Sequence, residues 1–268
     1  MPALVTRRTT AALLTVGGAT LIFPGQPARA AAPLVRADLE ADFKEAGVVG
    51  TFALFDIAAD QLTVVNKKRA ETQFAPASTF KIPNSLIALE TGVIKDENEI
   101  VPYGGKPQPI KSWEKDMSIR DAIPISAVPI YQELARRIGL ERYRMWLTRL
   151  DYGNKETGGN IETFWLDGPL AISAIEEAKF NARLASGKLD ATPRAQAIVR
   201  EIIRLESSGR ATLFGKTGWS QKIGWWSGWV EREGKVHAFA LNMDMPTVTD
   251  APKRVSVAKS ILAKLGVY

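Results

Sequence analysis

Segments typical of β-strands lie near both ends of this chain of 268 residues, and helix-like segments fill the stretch between them. Apolar runs of strand length, separated by short turns, occupy 48–56, 62–66, 211–216, 223–231 and 235–243. The stretch Glu231-Arg-Glu-Gly234 is a hairpin turn between the last two. Because strands from both ends need a common core, the sequence predicts an α+β fold: an antiparallel sheet built from both chain ends, flanked by helices, with an inserted helical subdomain.

Apolar residues recur at helical spacing in several further segments. These are 35–46, the second half of 74–89, 131–150, 193–207 after a capping Thr192, and 251–265. The chain contains no internal repeat and no low-complexity linker. We therefore expect residues 31–268 to form a single domain that acts as one unit.

The first thirty residues have the pattern of a secretory signal peptide. Arg7 and Arg8 form a basic start, 9–23 is a short and mostly apolar run, and Ala28-Arg-Ala30 has the small-x-small pattern that a signal peptidase cuts. We expect cleavage after Ala30 and a periplasmic or secreted protein. The paired arginines fit twin-arginine export as well, but they are normal in an ordinary signal, which is the favoured route.

The charge balance does not indicate nucleic-acid or membrane binding. The formal net charge of +6 falls to +3 for residues 31–268, because the leader removes three arginines and no acidic residue. The remaining charges are interspersed, whereas nucleic-acid binding needs a concentrated basic surface. No stretch after the leader approaches the roughly 18 apolar residues of a membrane span, so no membrane anchor is expected.

The chain has no cysteine and a single histidine, which narrows the chemistry open to it. A cysteine nucleophile, a zinc–thiolate site and disulfides are excluded. His237 lies in a strand-like segment and is interpreted as structural, so a histidine-based triad is not expected, and neither is a metal site. A hydrolase built from this chain would need another base.

Ser78 and Lys81 are the leading candidates for a nucleophile and its base. Residues three apart share a helix face, so the lysine amine can reach the serine hydroxyl. A serine at a helix start also lies beside free backbone N–H groups, which stabilise developing negative charge. The same spacing recurs at Ser112/Lys115 and Ser256/Lys259. Ser78 and Lys81 differ from those pairs because an apolar helix follows them, and a buried lysine is costly unless it is paired or neutral.

Three further motifs follow this pair along the chain. They are Ser126-Ala-Val128, Tyr152-Gly-Asn154 and Lys216-Thr-Gly218. Each alone is typical of ordinary turns and strand ends. Together and in this order they resemble the penicillin-recognising serine enzymes, and specifically the class D (oxacillinase-type) β-lactamases. The resemblance covers nearly all of residues 31–268, and it includes Phe164-Trp-Leu-Asp-Gly168 and Gly224-Trp-Trp-Ser-Gly-Trp229.

The resemblance implies the penicillin-recognising fold in a single catalytic domain, and hydrolysis of β-lactam antibiotics through an acyl-enzyme on Ser78. In such enzymes carbon dioxide converts the lysine at the Lys81 position to a carbamate (N6-carboxylysine), the base for acylation and deacylation. The reaction needs a neutral amine, which an apolar pocket favours. Trp165 would donate its indole N–H to the carbamate. Carbon dioxide or bicarbonate is therefore required, and no other cofactor is expected.

The resemblance also assigns residues to the substrate. The substrate-binding residues that it implies are Val128, Tyr152, Lys216, Thr217, Trp219 and Arg254. Ser126 would relay a proton to the leaving nitrogen, while Lys216, Thr217 and Arg254 would hold the substrate carboxylate. The backbone N–H groups of the nucleophile and of the tryptophan after Lys216-Thr-Gly218 would form the oxyanion hole.

Four alternatives remain open at this point. A cell-wall transpeptidase or carboxypeptidase shares the serine, the lysine and the Lys-Thr-Gly pattern. A β-lactam sensor domain would be acylated but slow to hydrolyse. A class A β-lactamase would have Ser-Asp-Asn where this chain has Ser126-Ala-Val128, and a lipase-like esterase would need a Gly-x-Ser-x-Gly elbow and a triad histidine. The preferred β-lactams are not evident, and the protein is expected to be a monomer or a homodimer.

Overall fold

A single mixed sheet lies at the centre of the molecule. The computed structural model describes Ala3 and residues 32–268, and residues 32–268 belong to one compact unit. The predicted leader, apart from Ala3, lies outside the described residues and stays a prediction. The strands are β1 (Leu34–Val35), β2 (Gly50–Asp56), β3 (Gln61–Val65), β4 (Arg204–Ser208), β5 (Ala211–Ser220), β6 (Ile223–Arg232) and β7 (Lys235–Asp244). Their spatial order is β1-β3-β2-β7-β6-β5-β4.

Strands from the two ends of the chain pair directly, as the sequence predicts. β2 and β7 are antiparallel, from Gly50 opposite Met243 to Asp56 opposite His237. The predicted antiparallel sheet from both chain ends is confirmed, and it gains one parallel pair at its edge, where β1 pairs with β3 and Leu34 lies opposite Thr63. A strand of two residues is too short to show the alternation of apolar and polar side chains, and Val35 was therefore predicted to belong to the helix over 35–46.

Helices cover both faces of the sheet. They are α1 (Glu40–Glu45), α2 (Lys67–Glu71), α3 (Lys81–Glu90), α4 (Ile119–Ala122), α5 (Val128–Ile138), α6 (Leu140–Arg149), α7 (Ala174–Ala185), α8 (Pro193–Ile202) and α9 (Ala251–Lys264). Short 3-10 turns lie at Ala37–Leu39, Ala77–Phe80, Lys111–Trp113 and Val248–Asp250.

Two predicted helices differ from the observed ones. The helix predicted over 131–150 is divided between α5 and α6 at Gly139, whose φ of +82° is open to glycine but strained for other residues. The helix predicted over 193–207 ends at Ile202, because Arg204–Ser208 forms an edge strand on β5. Pairing with a neighbouring strand overrides the local helical pattern there.

The alternation of side chains along β2 divides the core in two. Phe52 and Leu54 lie in a cluster with Phe43 of α1 and Ile261 of α9. Ala53, between them, lies in the larger cluster on the opposite face, which includes α3, α5, α6 and α7. Successive strand residues point to opposite faces, so one strand contributes to both clusters. The candidate catalytic residues lie on the side of the larger cluster.

Within residues 32–268, no helix has both the length and the apolar character that a membrane crossing requires. The same part of the chain contains no cluster of three or more histidine, aspartate or glutamate side chains arranged to hold a metal ion.

Candidate active site

Ser78 and Lys81 meet where a 3-10 turn passes into a helix. The turn Ala77–Phe80, which we call the nucleophile turn, contains Ser78, and Lys81 is the first residue of α3. The Lys81 Nζ lies 3.0 Å from the Ser78 Oγ. Lys81 is completely buried, whereas Ser78 is 8% exposed. A small part of the nucleophile therefore reaches the surface.

The Lys81 amine is buried without a carboxylate partner among the described residues. Burial lowers the pKa of Lys81 well below its usual value, and the positive charge of Lys216 lowers it further. The ring of Tyr131 lies below the amine, with its centroid 5.0 Å from the Nζ. Desolvation therefore favours the neutral amine, which can accept a proton or react as a nucleophile.

The surroundings of this pair are mostly aromatic. Trp165 is fully buried and stacks on Phe80 with 5.7 Å between ring centroids, and Phe164 packs edge-on against both rings. The Trp165 carbonyl accepts a hydrogen bond of 2.8 Å from the N–H of Ala77, directly before the nucleophile. In contrast, the Trp165 indole N–H is buried and has no partner within the described residues. Buried donors are rarely left unpaired.

Ser126 and Lys216 form the second polar pair of the site. The Lys216 Nζ donates a 2.5 Å hydrogen bond to the Ser126 Oγ and a 2.9 Å bond to the Thr217 carbonyl. Ser126 has a φ of +56°, in the left-handed region that non-glycine residues seldom adopt, and the residues that do are often functional. Burial lowers the pKa of Lys216 to about 7, and the charge of Arg254 contributes.

Strand β5 passes directly against the nucleophile turn at Gly218. A Cβ on Gly218 would lie 3.0 Å from the Pro76 carbonyl oxygen and 3.1 Å from the Ser78 nitrogen. Trp225, opposite Gly218 on β6, fixes the same contact by donating its indole N–H to the Ala75 carbonyl over 3.0 Å. A side chain at this position would be in tight contact with the backbone of the turn, so the strand or the turn would have to shift by a few tenths of an ångström.

Arg254 reaches the site from α9. Its Nη1 donates to the Gly218 carbonyl over 2.6 Å, and its stem passes over Gly224, where an added Cβ would lie 2.9 Å from the Arg254 Cδ. Burial lowers the pKa of Arg254. Trp219 is 43% exposed and donates its indole N–H to the Met245 carbonyl over 2.9 Å. Together they place a cation and an aromatic face beside Lys216.

The resemblance implies that both Val128 and Tyr152 contact substrate, but only Val128 lies beside the site. Val128 is half-buried at the first position of α5, two residues after Ser126. Tyr152 does not line the site: it is fully buried, packs against Phe80, and donates its hydroxyl to Glu177 over 2.9 Å. The substrate-wall interpretation of Tyr152 therefore has to be replaced by a role behind the nucleophile turn.

Glu177 is the polar residue at this site that the sequence interpretation missed. It lies on α7 and is fully buried beneath the nucleophile turn. The helix itself could have been found, because Ser173 and Glu176 form a capping box at its start. Which of the two adjacent glutamates is buried depends on the rotation of the helix against the sheet, and no local pattern gives that rotation.

The other two serine–lysine pairs lie on the surface. Ser112 and Lys115 are exposed, Ser112 in a 3-10 turn and Lys115 two residues beyond it. On α9, Ser256 bonds to a backbone carbonyl of its own helix, and Lys259 pairs with Glu206 at 2.5 Å. Spacing is thus shared by three pairs, and burial separates the first from the others.

Comparison with known proteins agrees with this fold and this set of residues. The family described as the penicillin binding protein transpeptidase domain matches residues 42–265. Beta-lactamase OXA-5 of Pseudomonas aeruginosa is 42% identical over 233 residues, covering 84% of this chain and 87% of the relative. Beta-lactamase OXA-48 of Klebsiella pneumoniae is 43% identical over 226 residues, covering 83% of this chain and 85% of the relative.

Solved structures that superpose on this chain belong to the same kind of enzyme. The class D β-lactamase FUS-1 (OXA-85) of Fusobacterium nucleatum subsp. polymorphum superposes with a TM-score of 0.84 at 39% identity, covering 87% of this chain and 98% of that one. A class D β-lactamase from Bacillus subtilis gives 0.79 at 35% identity, with 85% and 95% covered. Fold and site therefore define a penicillin-recognising serine enzyme. Within that class, the chain belongs to the class D β-lactamases, a family of serine hydrolases, and the resemblance seen in the motifs is confirmed.

Proposed function

We propose that this protein hydrolyses β-lactam antibiotics through an acyl-enzyme on Ser78, with Lys81 in its carboxylated form as the base. The observation that carries the proposal is the Lys81 amine, which is completely buried, has no carboxylate partner in the described part of the chain, and lies 3.0 Å from the Ser78 Oγ. A charged ammonium cannot accept a proton, and burial opposes that charged form.

The residues around Lys81 fit a carbamate. The reaction with carbon dioxide requires a neutral amine, which burial supplies by lowering the pKa of Lys81. A carbamate adds acceptor oxygens, and the buried indole N–H of Trp165 is a donor that lacks an acceptor. Carboxylation would supply an anionic acceptor for the Ser78 proton and later for a proton of the hydrolytic water.

The backbone around Ser78 suits the stabilisation of a tetrahedral intermediate. Ser78 lies in the first turn of a helical segment, where N–H groups have no acceptor within the helix. The close approach of β5 at Gly218 brings the following residue, Trp219, beside the nucleophile. The N–H groups of Ser78 and Trp219 would then hold the developing oxyanion, and one such donor is typically worth about 3 kcal/mol.

Ser126 and Lys216 are suited to transfer a proton to the leaving nitrogen. The 2.5 Å bond between them, with a pKa of about 7 for Lys216, allows a proton to move through the Ser126 hydroxyl near neutral pH. The Thr217 carbonyl accepts a bond from Lys216, and Arg254 donates to the carbonyl of Gly218, the next residue on β5. Lys216, Thr217 and Arg254 would hold the substrate carboxylate.

The first test compares penicillin hydrolysis by the wild type with S78A and K81A. Both variants should lose activity by roughly a thousandfold or more, because each removes a group on which the acylation depends. S112A and K115A are matched controls, since they remove the same residue types at the same spacing from the surface. Their activity should equal that of the wild type.

A second measurement tests the carbamate. Enzyme exposed to acid in carbon dioxide-free buffer should be inactive and should recover when bicarbonate is added, and ¹³C-labelled bicarbonate should give a carbamate NMR signal that K81A lacks. Normal hydrolysis without such a signal would refute carboxylation and leave the free amine as base. Stoichiometric acylation by penicillin without turnover would contradict hydrolysis and favour a sensor.

Export is part of the same proposal. The leader predicted over 1–30 would place the enzyme in the periplasm or outside the cell, where it meets β-lactams. N-terminal sequencing of the exported protein should begin after Ala30, and an intact leader on the mature protein would contradict this.

A further inference from the structure

Glu177 is a buried acid that the proposed reaction does not use. Its side chain is completely buried on the face of α7 that packs beneath the sheet and the nucleophile turn. None of the ion pairs among the described residues includes it. A carboxyl group in a core is costly unless it is hydrogen-bonded, and an apolar residue would fill the same space without that cost. Such local conflicts are concentrated at functional sites.

Two hydroxyl groups donate to the Glu177 carboxyl. The Ser227 Oγ donates to its Oε1 over 2.8 Å, and the Tyr152 hydroxyl donates to its Oε2 over 2.9 Å. Burial raises the pKa of Tyr152 well above its usual value, so this phenol stays neutral and remains a donor.

The two hydroxyls belong to different parts of the candidate active site. Tyr152 begins the Tyr152-Gly-Asn154 motif and packs against Phe80 of the nucleophile turn. Ser227 lies on β6 directly opposite Lys216 of β5, and residues directly opposite in an antiparallel pair share a face of the sheet. One carboxyl group thus joins the tyrosine behind the nucleophile turn to the strand that pairs with the Lys216 strand.

The link from Glu177 to the nucleophile turn runs through Tyr152, whose ring lies 5.8 Å from that of Phe80 between centroids. The Thr79 hydroxyl, beside Ser78, donates to the Pro76 carbonyl over 2.8 Å. An ionised Glu177 accepts from both Tyr152 and Ser227, whereas protonation turns one of its oxygens into a donor. The hydrogen bonds behind the turn therefore depend on the protonation state of Glu177.

The groups around Glu177 allow both states. Burial raises the pKa of Glu177, the hydroxyls of Ser227, Tyr152 and Thr79 oppose that rise, and the neighbouring Glu176 adds to it. Tyr152 and Glu176 are the titratable side chains that act on it, and the sheet contributes the neutral Ser227. Ionisation is therefore displaced toward neutral pH from the usual range of a glutamate.

We propose that Glu177 is a positioning residue for acylation: through Tyr152 and Ser227 it holds the nucleophile turn at a fixed distance from the paired strands β5 and β6 that carry Lys216 and Ser227. This inference rests on the proposed function, because acylation of Ser78 is the step that it affects. Glu177 touches neither substrate nor the reacting atoms. Its loss should lower kcat while KM changes little.

The test uses the full-length mature enzyme and two substitutions. E177L removes both hydrogen bonds and retains a side chain of similar size, and we expect kcat to fall roughly 10- to 100-fold, the effect of a small misplacement of reacting groups. KM should stay within about twofold, since the proposed carboxylate-binding residues are untouched. E177Q keeps the shape and some hydrogen bonds but cannot ionise. It should retain most of kcat at neutral pH and change the acid limb of the kcat profile.

The adjacent Glu176 provides a matched control. Its carboxylate accepts the Ser173 N–H over 2.8 Å at the start of the same helix and the Gln73 amide over 3.0 Å, and it bonds to neither Tyr152 nor Ser227. E176Q should lower the melting temperature without changing kcat at neutral pH. Because the charge of Glu176 helps to raise the pKa of Glu177, its removal should move the acid limb of the kcat profile to lower pH and keep that limb. The variant pair therefore separates positioning of the nucleophile from general support of α7.

The outcomes distinguish this inference from the proposed function. A wild type that does not hydrolyse β-lactams refutes the proposed function. If the wild type is active and folded E177L and E177Q keep its kcat and its pH profile, the positioning role is refuted. If E177L fails to fold, E177Q decides alone, because its pH profile tests the ionisable group without removing the side chain.

Discussion

The indole N–H of Trp165 offers the sharpest check on the chemistry of Lys81. This tryptophan is fully buried, stacks on Phe80 at 5.7 Å, and has an N–H without a partner in the described part of the chain. W165F keeps an aromatic ring against Phe80 and removes only the donor and part of the ring volume. If the donor serves a carbamate on Lys81, the substitution should weaken carboxylation more than it weakens the fold.

The size of the effect follows from the type of hydrogen bond. A hydrogen bond to a charged group is worth about 1.5–3 kcal/mol, and each 1.4 kcal/mol corresponds to about a tenfold change in an equilibrium constant. W165F should therefore raise the bicarbonate concentration for half-maximal activity by about 10- to 150-fold. With bicarbonate in excess, most of the wild-type rate should return, because Ser78 and Lys81 are intact.

W229F is the control for the side-chain volume that W165F loses. Trp229 is also fully buried and stacks on an aromatic ring, that of Phe214 at 4.7 Å, but its indole N–H donates to Glu231 over 3.0 Å at the far end of β6. W229F should lower stability without changing the bicarbonate dependence. Titration with ¹³C-labelled bicarbonate, followed by NMR and by hydrolysis rate, measures both variants. Equal bicarbonate dependence in W165F, W229F and the wild type would refute the reasoning.

Three further predictions follow from the geometry. Because the pKa of Lys216 is lowered to about 7, the cationic form of this lysine prevails below that pH. KM for penicillins should therefore rise as the pH increases through about 7. A KM that does not change with pH would contradict the proposed role of Lys216 in binding the substrate carboxylate. In G218A the new Cβ would lie 3.0 to 3.2 Å from three backbone atoms at the nucleophile turn. We expect kcat to fall about 100-fold while circular dichroism shows an unchanged fold. An unchanged kcat would show that the strand can shift freely. G153A combines a φ of +52° with a Cβ 2.3 Å from the Ala171 carbonyl oxygen and should lower the free energy of unfolding by about 3 kcal/mol or more. G47A, at a φ of +67° in open space, should cost only about 1–2 kcal/mol, and equal losses in thermal unfolding would contradict this account.

Much of the sheet could be predicted because its signals are local. The runs ending at Glu231 and starting at Lys235 lie close to the observed β6 and β7, and the turn between these strands is two residues, Glu233 and Gly234, both with positive φ. A tight turn of this kind suits the twist of the paired strands, and its glycine is visible in the sequence. Edge strands are harder for two reasons. β1 pairs with β3, which lies beyond β2 in the chain, whereas β4 adjoins its partner β5 but continues the helical pattern of the preceding segment.

The candidate site also has features that the sequence could predict and features that it could not. The order and spacing of the motifs identified Ser78, Lys81, Ser126 and Lys216, and the structure brings these four together. The spacing could not choose among three serine–lysine pairs on physical grounds alone, because it says nothing about burial. Nor could it show that Tyr152 points away from the substrate side, toward Glu177.

The sequence by itself determined the class of enzyme, the nucleophile and the strands contributed by both chain ends. These depend on residues close together in the chain, such as three positions along one helix or two sides of one turn. Only the tertiary structure decided which lysine loses its charge, which indole lacks a partner and which glutamate lies under the nucleophile. Each depends on desolvation and hydrogen bonding by elements distant in sequence. These contacts form only when β5 and β6 pack against the nucleophile turn and α7 packs against β6.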